Sequence, residues 1–115
     1  MSEQQPAPPR SVEAVLRGEV ADMPVRQIIA TVADAFGYSA ADLVGPDTRR
    51  EIVRARYAAI HAVRQAKKHF SLPQLGSAFG RDHTTILYAL RKMDRSGVPQ
   101  PPAALRGAPL KDTAA

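Results

Sequence analysis

The sequence contains no cysteine and no tryptophan, and only three phenylalanines and three tyrosines occur among its 115 residues. The missing cysteines exclude disulfides, thiolate zinc sites and cysteine nucleophiles. The few aromatic residues predict a small core of aliphatic side chains, in a chain long enough for one domain. Because such a chain has little room for both a core and an enzyme pocket, these absences favour a binding module over an enzyme.

Long apolar runs are also missing. No stretch approaches the roughly 20 residues that a membrane-spanning helix needs, and the first ten residues, MSEQQPAPPR, lack the apolar region of a signal peptide. The sequence therefore predicts a soluble cytoplasmic protein with no membrane partner. Seven of the ten prolines lie in residues 1–10 and 97–115. We predict disordered, Pro-rich tails there and a folded domain over residues 11–96.

Positive charge is concentrated in one part of the chain. Residues 46–95 hold eleven Lys and Arg against four Asp and Glu, a local charge of +7, whereas the whole chain carries +5. A positive half on an otherwise near-neutral chain is typical of a polyanion-binding surface. A solvated surface that is basic without having a partner is the simpler alternative.

Every segment with a readable pattern is helical. Apolar residues recur at helical spacing within residues 25–36, 52–63 and 86–93, and no segment alternates with the two-residue period of a strand. The expected N-terminal caps are Ser11, Ser39, Thr48 (with Glu51), Ser71 (with Gln74) and Asp82. The sequence therefore predicts an all-α fold, a compact domain of four to six helices.

The segment SLPQLGSAFGRDHTTILYALRKM, residues 71–93, predicts a short helix, a turn at Gly80 and a second helix. This order is typical of a helix-turn-helix, in which the first turn of the second helix enters the major groove of DNA. The candidate base-reading residues in that turn are Asp82, His83, Thr84 and Thr85. Their carboxylate, imidazole, hydroxyl and methyl groups are ones that contact base edges.

Catalytic and metal-binding roles for these residues do not fit their spacing. Asp82 and His83 are adjacent, so on a helix their side chains point about 100° apart and do not form a catalytic pair. No second acid–base cluster or glycine-rich phosphate loop accompanies them, so we predict no catalytic residue and no cofactor. His61, His69 and His83 lack the spacing of metal ligands. A simple helix start, with Asp82 as the cap and its neighbours in solvent, remains an alternative.

The same segment, preceded by TRREIVRARYAAIHAVR and IIATVADAFGYSAADL, resembles the C-terminal DNA-binding domain (domain IV) of DnaA, the bacterial chromosomal replication initiator. The similarity covers about residues 24–95. It implies a nucleoid-associated protein that binds short A/T-rich initiator boxes in double-stranded DNA, with residues 82–85 reading bases. The residues that the resemblance assigns to phosphates and the minor groove are Arg49, Arg50, Arg54, Arg56, Arg64, Arg81 and Lys92.

Three positions depart from the family's pattern. Thr48 stands where the family has its minor-groove arginine, for which Arg49 is a substitute. A single glycine, Gly80, replaces the usual two, and Tyr57 replaces a glutamine. Thr48, the lost glycine and the two Pro-rich tails support an alternative function, a protein-interaction adaptor that modulates the DnaA initiator or its regulatory AAA+ partner. No Walker A pattern occurs in the sequence, so we expect a free-standing copy of the DNA-binding part that does not hydrolyse ATP. We also expect it to be a monomer.

Overall fold

The computed structural model describes residues 12–101, which form six helices and no strand. The helices are α1 (Val12–Leu16), α2 (Val25–Phe36), α3 (Ala40–Val44), α4 (Arg50–Ala66), α5 (Leu72–Phe79) and α6 (His83–Ser96). The predicted all-α fold is therefore confirmed. The Ser11 cap, the tail over residues 1–10 and residues 102–115 lie outside the described part of the chain. None of the described helices is both long and apolar enough to span a bilayer.

Three of the predicted helix starts are present. Ser39 and Ser71 each accept a hydrogen bond from the backbone N–H three residues later, and the side chains of Asp42 and Gln74 accept one in return. Both are complete capping boxes. At α6 the Asp82 carboxylate accepts the Thr84 N–H at 3.0 Å. These caps were predictable because each depends only on residues within four positions of one another.

The start of α4 differs from the prediction. Thr48 was expected to cap this helix together with Glu51, but the helix begins at Arg50 and Arg49 occupies the N-cap position without a side-chain cap. The reason lies one residue before Thr48. The Asp47 carboxylate accepts the Arg49 backbone N–H at 2.9 Å. The side chain that bonds to the backbone just before α4 is therefore that of Asp47 and not that of Thr48.

The core is built around α4, which packs against the five other helices. The apolar residues whose helical spacing within residues 52–63 predicts a buried stripe are all buried: Ile52, Ala55, Ala59, Ile60 and Val63. Four fully buried alanines on this helix, at positions 55, 58, 59 and 62, leave room for its neighbours to approach closely. The core is largely aliphatic, as predicted, and its largest fully buried side chain is Phe79.

A three-residue turn, Gly80 to Asp82, joins α5 to α6 and completes the helix-turn-helix. Gly80 has a φ of +64° in the left-handed region, which glycine adopts without strain. The turn crosses α5 at Gly76, whose carbonyl accepts the Arg81 N–H at 2.8 Å. A Cβ at Gly76 would overlap the Arg81 carbonyl. Gly80 in the turn and Gly76 in α5 are therefore sufficient for α5 and the turn to pack closely.

The chain after α6 stays against the domain as far as it is described. Residues 97–101 have no regular secondary structure, yet Val98 packs against the core. This stretch is the beginning of the tail that was predicted to be disordered. Disorder beyond residue 101 stays a prediction.

Candidate nucleic-acid interface

The first turn of α6 presents a cap and three exposed side chains. The Asp82 carboxylate is held by the Thr84 N–H, and this hydrogen bond keeps the pKa of Asp82 below its usual range. His83 Nδ1 lies 3.7 Å from the other carboxylate oxygen, and both side chains are more than half exposed. Thr84 and Thr85 are also exposed. Asp82 is therefore a cap, and its neighbours are free to contact a partner.

The outward face of α6 continues this exposed surface along the helix. The exposed residues four, seven and eleven positions after Thr84 are Tyr88, Arg91 and Arg95. Ile86, Ala89 and Met93 on the opposite face are buried. Tyr88 is 57% exposed, unusual for so large a side chain. The sequence interpretation missed Tyr88, although its spacing from Thr84 placed it on the same face.

A basic groove of about 640 Å³ lies between the first half of α4 and the second half of α6. Arg50, Arg54 and Tyr57 line it from α4, and Lys92 lines it from α6. Burial raises the pKa of the Tyr57 phenol, and the nearby Tyr88 adds to this shift. The structure therefore brings three of the predicted phosphate-contacting residues together beside the candidate recognition helix.

A second groove borders α6 on another side. It holds about 360 Å³ and is lined by Arg64 and His61 from α4 and by Leu87 and Arg91 from α6. Burial lowers the pKa of His61, so this histidine favours its neutral form. The exposed stripe of α6 thus has basic residues of α4 along both grooves. Within residues 12–101 no three His, Cys, Asp or Glu side chains are grouped as metal ligands.

Arg49 is exposed but already paired. Its guanidinium contacts both carboxylate oxygens of Asp47 at 2.9–3.1 Å. The pairing lowers the pKa of Asp47 and raises the pKa of Arg49. Arg49 therefore reaches the surface next to a carboxylate that opposes the approach of a phosphate.

Arg56 corrects the predicted set of phosphate contacts, because it does not lie on the surface. It is 5% exposed, and its guanidinium donates to backbone carbonyls at the end of α3 and in the loop between α3 and α4. Arg81 is half-buried and donates to the Gly45 carbonyl at 2.6 Å. The resemblance implies a phosphate or minor-groove role for both residues, and a sequence resemblance does not show which way a side chain points.

The fold and this surface define a helix-turn-helix domain with a basic flank. The family model described as bacterial dnaA protein helix-turn-helix matches residues 25–93. This match covers more than half of the chain, and the chain belongs to that family, which is a DNA-binding rather than a catalytic one.

Among curated proteins, the chain is similar to the chromosomal replication initiator protein DnaA from two strains of Thermus thermophilus. Each is 44% identical over 68 residues. The alignment covers 58% of this chain but only 15% of the initiator's length. No solved structure matches the chain significantly.

Proposed function

We propose that the chain binds double-stranded DNA through α6 at initiator-box-type sites, and that it thereby regulates replication initiation or nearby transcription. The observation that carries this proposal is the exposed, capped first turn of α6, on a helix whose later turns border two grooves that contain basic residues. A helix start of this kind is what a helix-turn-helix inserts into the major groove. The similarity to the initiator supports the biological setting.

Each side chain in the first turn of α6 has a chemical group that suits a particular contact with DNA. The Thr84 methyl group is suited to the C5-methyl of thymine, and the His83 ring to a base edge. Asp82 uses one carboxylate oxygen for its cap, which leaves the other to accept a hydrogen bond from a cytosine amino group. Thr85 occupies the third position of the helix and adds a hydroxyl at the edge of this surface.

In this proposal, basic residues on both sides of α6 contact the two phosphate backbones that border the major groove. Arg50, Arg54 and Lys92 contribute from the larger groove, and Arg64 from the smaller one. Tyr88, exposed between Thr84 and Lys92, adds a phenol that donates to a phosphate oxygen. About four to six such contacts predict a steep salt dependence, with log K falling by about 0.9 per contact for each log unit of salt.

The direct test is fluorescence anisotropy of a labelled initiator-box duplex and a scrambled duplex over a salt series. Arg54→Ala and Lys92→Ala are each expected to weaken binding to both duplexes and to reduce the salt slope by about 1. Arg17→Ala, which removes an exposed arginine of the segment after α1, is the charge-matched control and should leave the slope unchanged. Equal wild-type affinity for the two duplexes would remove initiator-box recognition from the proposal.

Asp47→Asn is expected to tighten DNA binding and to steepen the salt slope by about 1, because it frees Arg49 to contact a phosphate. Asparagine retains an oxygen that accepts the Arg49 backbone N–H, so the start of α4 is preserved. The same anisotropy series measures the change. Asp34→Asn, an equal charge change at an exposed position of α2, is the control. If both variants bind more tightly to the same extent, net charge rather than Arg49 is responsible.

The Asp47–Arg49 pair is also the observation that favours the second candidate function, the adaptor. Thr48 supplies no charge, and Arg49 is paired with Asp47, so these residues of the loop before α4 offer a phosphate little attraction. A protein partner has no such requirement. Capture of the purified initiator or of its AAA+ regulator by the immobilised chain, with no preference for the box duplex, is the result that supports the adaptor.

A further inference from the structure

Two arginines, Arg56 and Arg81, point toward the interior; we call them the arginine pair. The Arg56 guanidinium donates to four backbone carbonyls, those of Leu43 (2.5 Å), Asp42 (3.3 Å), Gly45 (3.2 Å) and Asp47 (2.8 Å). Arg81 donates to the carbonyls of Gly45 (2.6 Å) and Phe79 (3.4 Å). All of these acceptors are backbone oxygens. Both arginine side chains therefore stabilise the conformation of the main chain around them.

The Gly45 carbonyl oxygen is the atom that the two arginines share. It accepts from both guanidinium groups, which uses both of its lone pairs. Arg56 belongs to α4, Arg81 to the turn between α5 and α6, and Gly45 directly follows α3. Three segments that are distant in sequence therefore meet at one oxygen.

This arrangement depends on the shape of the guanidinium group. Two cations close together repel each other, and the charge of Arg81, after burial, lowers the pKa of Arg56. Arginine nevertheless keeps its proton in proteins, so the carbonyl dipoles must offset this repulsion. Arginine donates several hydrogen bonds in fixed directions from one plane, whereas a lysine ammonium group does not reproduce that pattern.

The segments that the pair joins are the two that carry the candidate DNA contacts. The backbone carbonyl of Asp47 is held by Arg56, while the side chain of Asp47 holds Arg49. Arg81 directly precedes the Asp82 cap and His83. The loop before α4 and the first turn of α6 are thereby fixed relative to each other.

We infer that the arginine pair positions this loop and the first turn of α6 as one unit, and so sets the base specificity of DNA binding rather than contacting phosphates. The inference rests on the proposed function, since specificity presupposes DNA binding. According to this inference, Arg81 positions backbone segments and does not contact a phosphate. The positive charge of Arg81 would be sufficient for a phosphate contact, whereas positioning requires the geometry of its guanidinium group.

Arg81→Lys separates the two roles, because it retains the charge and removes the fork of donors. Affinity for the box duplex is expected to fall by about tenfold or more, the effect of roughly one mismatched base pair. Affinity for the scrambled duplex and the salt slope should stay at wild-type values. Arg26→Lys is the matched control, since Arg26 is exposed and lines the same groove as Gly80. If Arg81→Lys binds the box like wild type, the inference is overturned.

A double-mutant cycle tests whether the pair acts as a unit. Arg56→Lys and Arg81→Lys remove donors to the same oxygen, so the double variant should lose little more box affinity than the weaker-binding single variant. Losses that multiply would show that the two arginines act independently. Circular dichroism establishes that each variant is folded at the assay temperature. Should Arg56→Lys not fold, Arg81→Lys alone decides the question.

The free protein supplies a test that does not require DNA. NMR ¹⁵N relaxation of the Asp47, Thr48 and Arg49 amides should show order parameters near the rigid value of about 0.85 in wild type and clearly lower values in Arg81→Lys. Unchanged order parameters would contradict the inference. A wild-type chain without preference for the box duplex defeats the proposed function, and the relaxation result then decides on the arginine pair by itself.

Discussion

Replacing His83 and Thr84 together by alanine is expected to abolish preference for the initiator-box duplex over the scrambled one. A good contact to a base is worth about 1–3 kcal/mol of discrimination, so the loss of two lowers box affinity by at least about thirtyfold. Binding to the scrambled duplex should be nearly unchanged, because the basic residues along both grooves remain. The salt slope should also be preserved, since phosphate contacts set it.

The double variant is informative because it leaves the fold intact. Both side chains are exposed, and the Asp82 cap uses the backbone N–H of residue 84, which alanine retains. The thermal midpoint should therefore match that of wild type and of Gln27→Ala, a control at an exposed position of α2. A regulatory phenotype that survives the double substitution would favour the adaptor over DNA reading.

The sequence predicted features of this interface that depend on neighbouring residues. The helix-turn-helix follows from the local pattern of residues 71–93, and the Asp82 cap and the exposure of His83 follow from residues within one turn of each other. The structure has all three features. Tyr88 follows from the same periodicity, since it lies four residues after Thr84. Its exposure needed only the observation that Ile86 and Met93 define the buried face.

Arg56 shows why the remaining contacts were not predictable from the resemblance. It lies four residues after Ile52 and four before Ile60, so helical periodicity places it within the buried stripe. The resemblance nevertheless implies a phosphate or minor-groove contact for it. Its partners are carbonyls 9 to 14 residues away in sequence, and Arg81 joins them from 36 residues away. Such contacts exist only once the helices have packed.

Phe79→Ala is expected to have the largest effect on stability, lowering the free energy of unfolding by about 3–5 kcal/mol. Phe79 is fully buried and has the largest side chain among the fully buried residues. Its removal leaves a cavity directly before Gly80, where the recognition turn begins. A stability of about 5–15 kcal/mol is usual for a domain, so this change alone brings a small helical domain close to unfolding.

Urea denaturation followed by circular dichroism measures this loss of stability. Two further variants, each expected to lose less stability, serve as comparisons. Phe79→Leu keeps most of the volume and should cost less than about 1.5 kcal/mol. Phe70→Ala removes the same group at a half-buried site and should cost clearly less than Phe79→Ala. Equal losses for Phe70→Ala and Phe79→Ala would mean that Phe79 contributes no more to stability than a half-buried phenylalanine. A larger loss for Phe79→Ala would show that packing next to Gly80 stabilises both the fold and the position of the recognition helix. Phe79 fills the core and lies one residue before the turn that leads to His83.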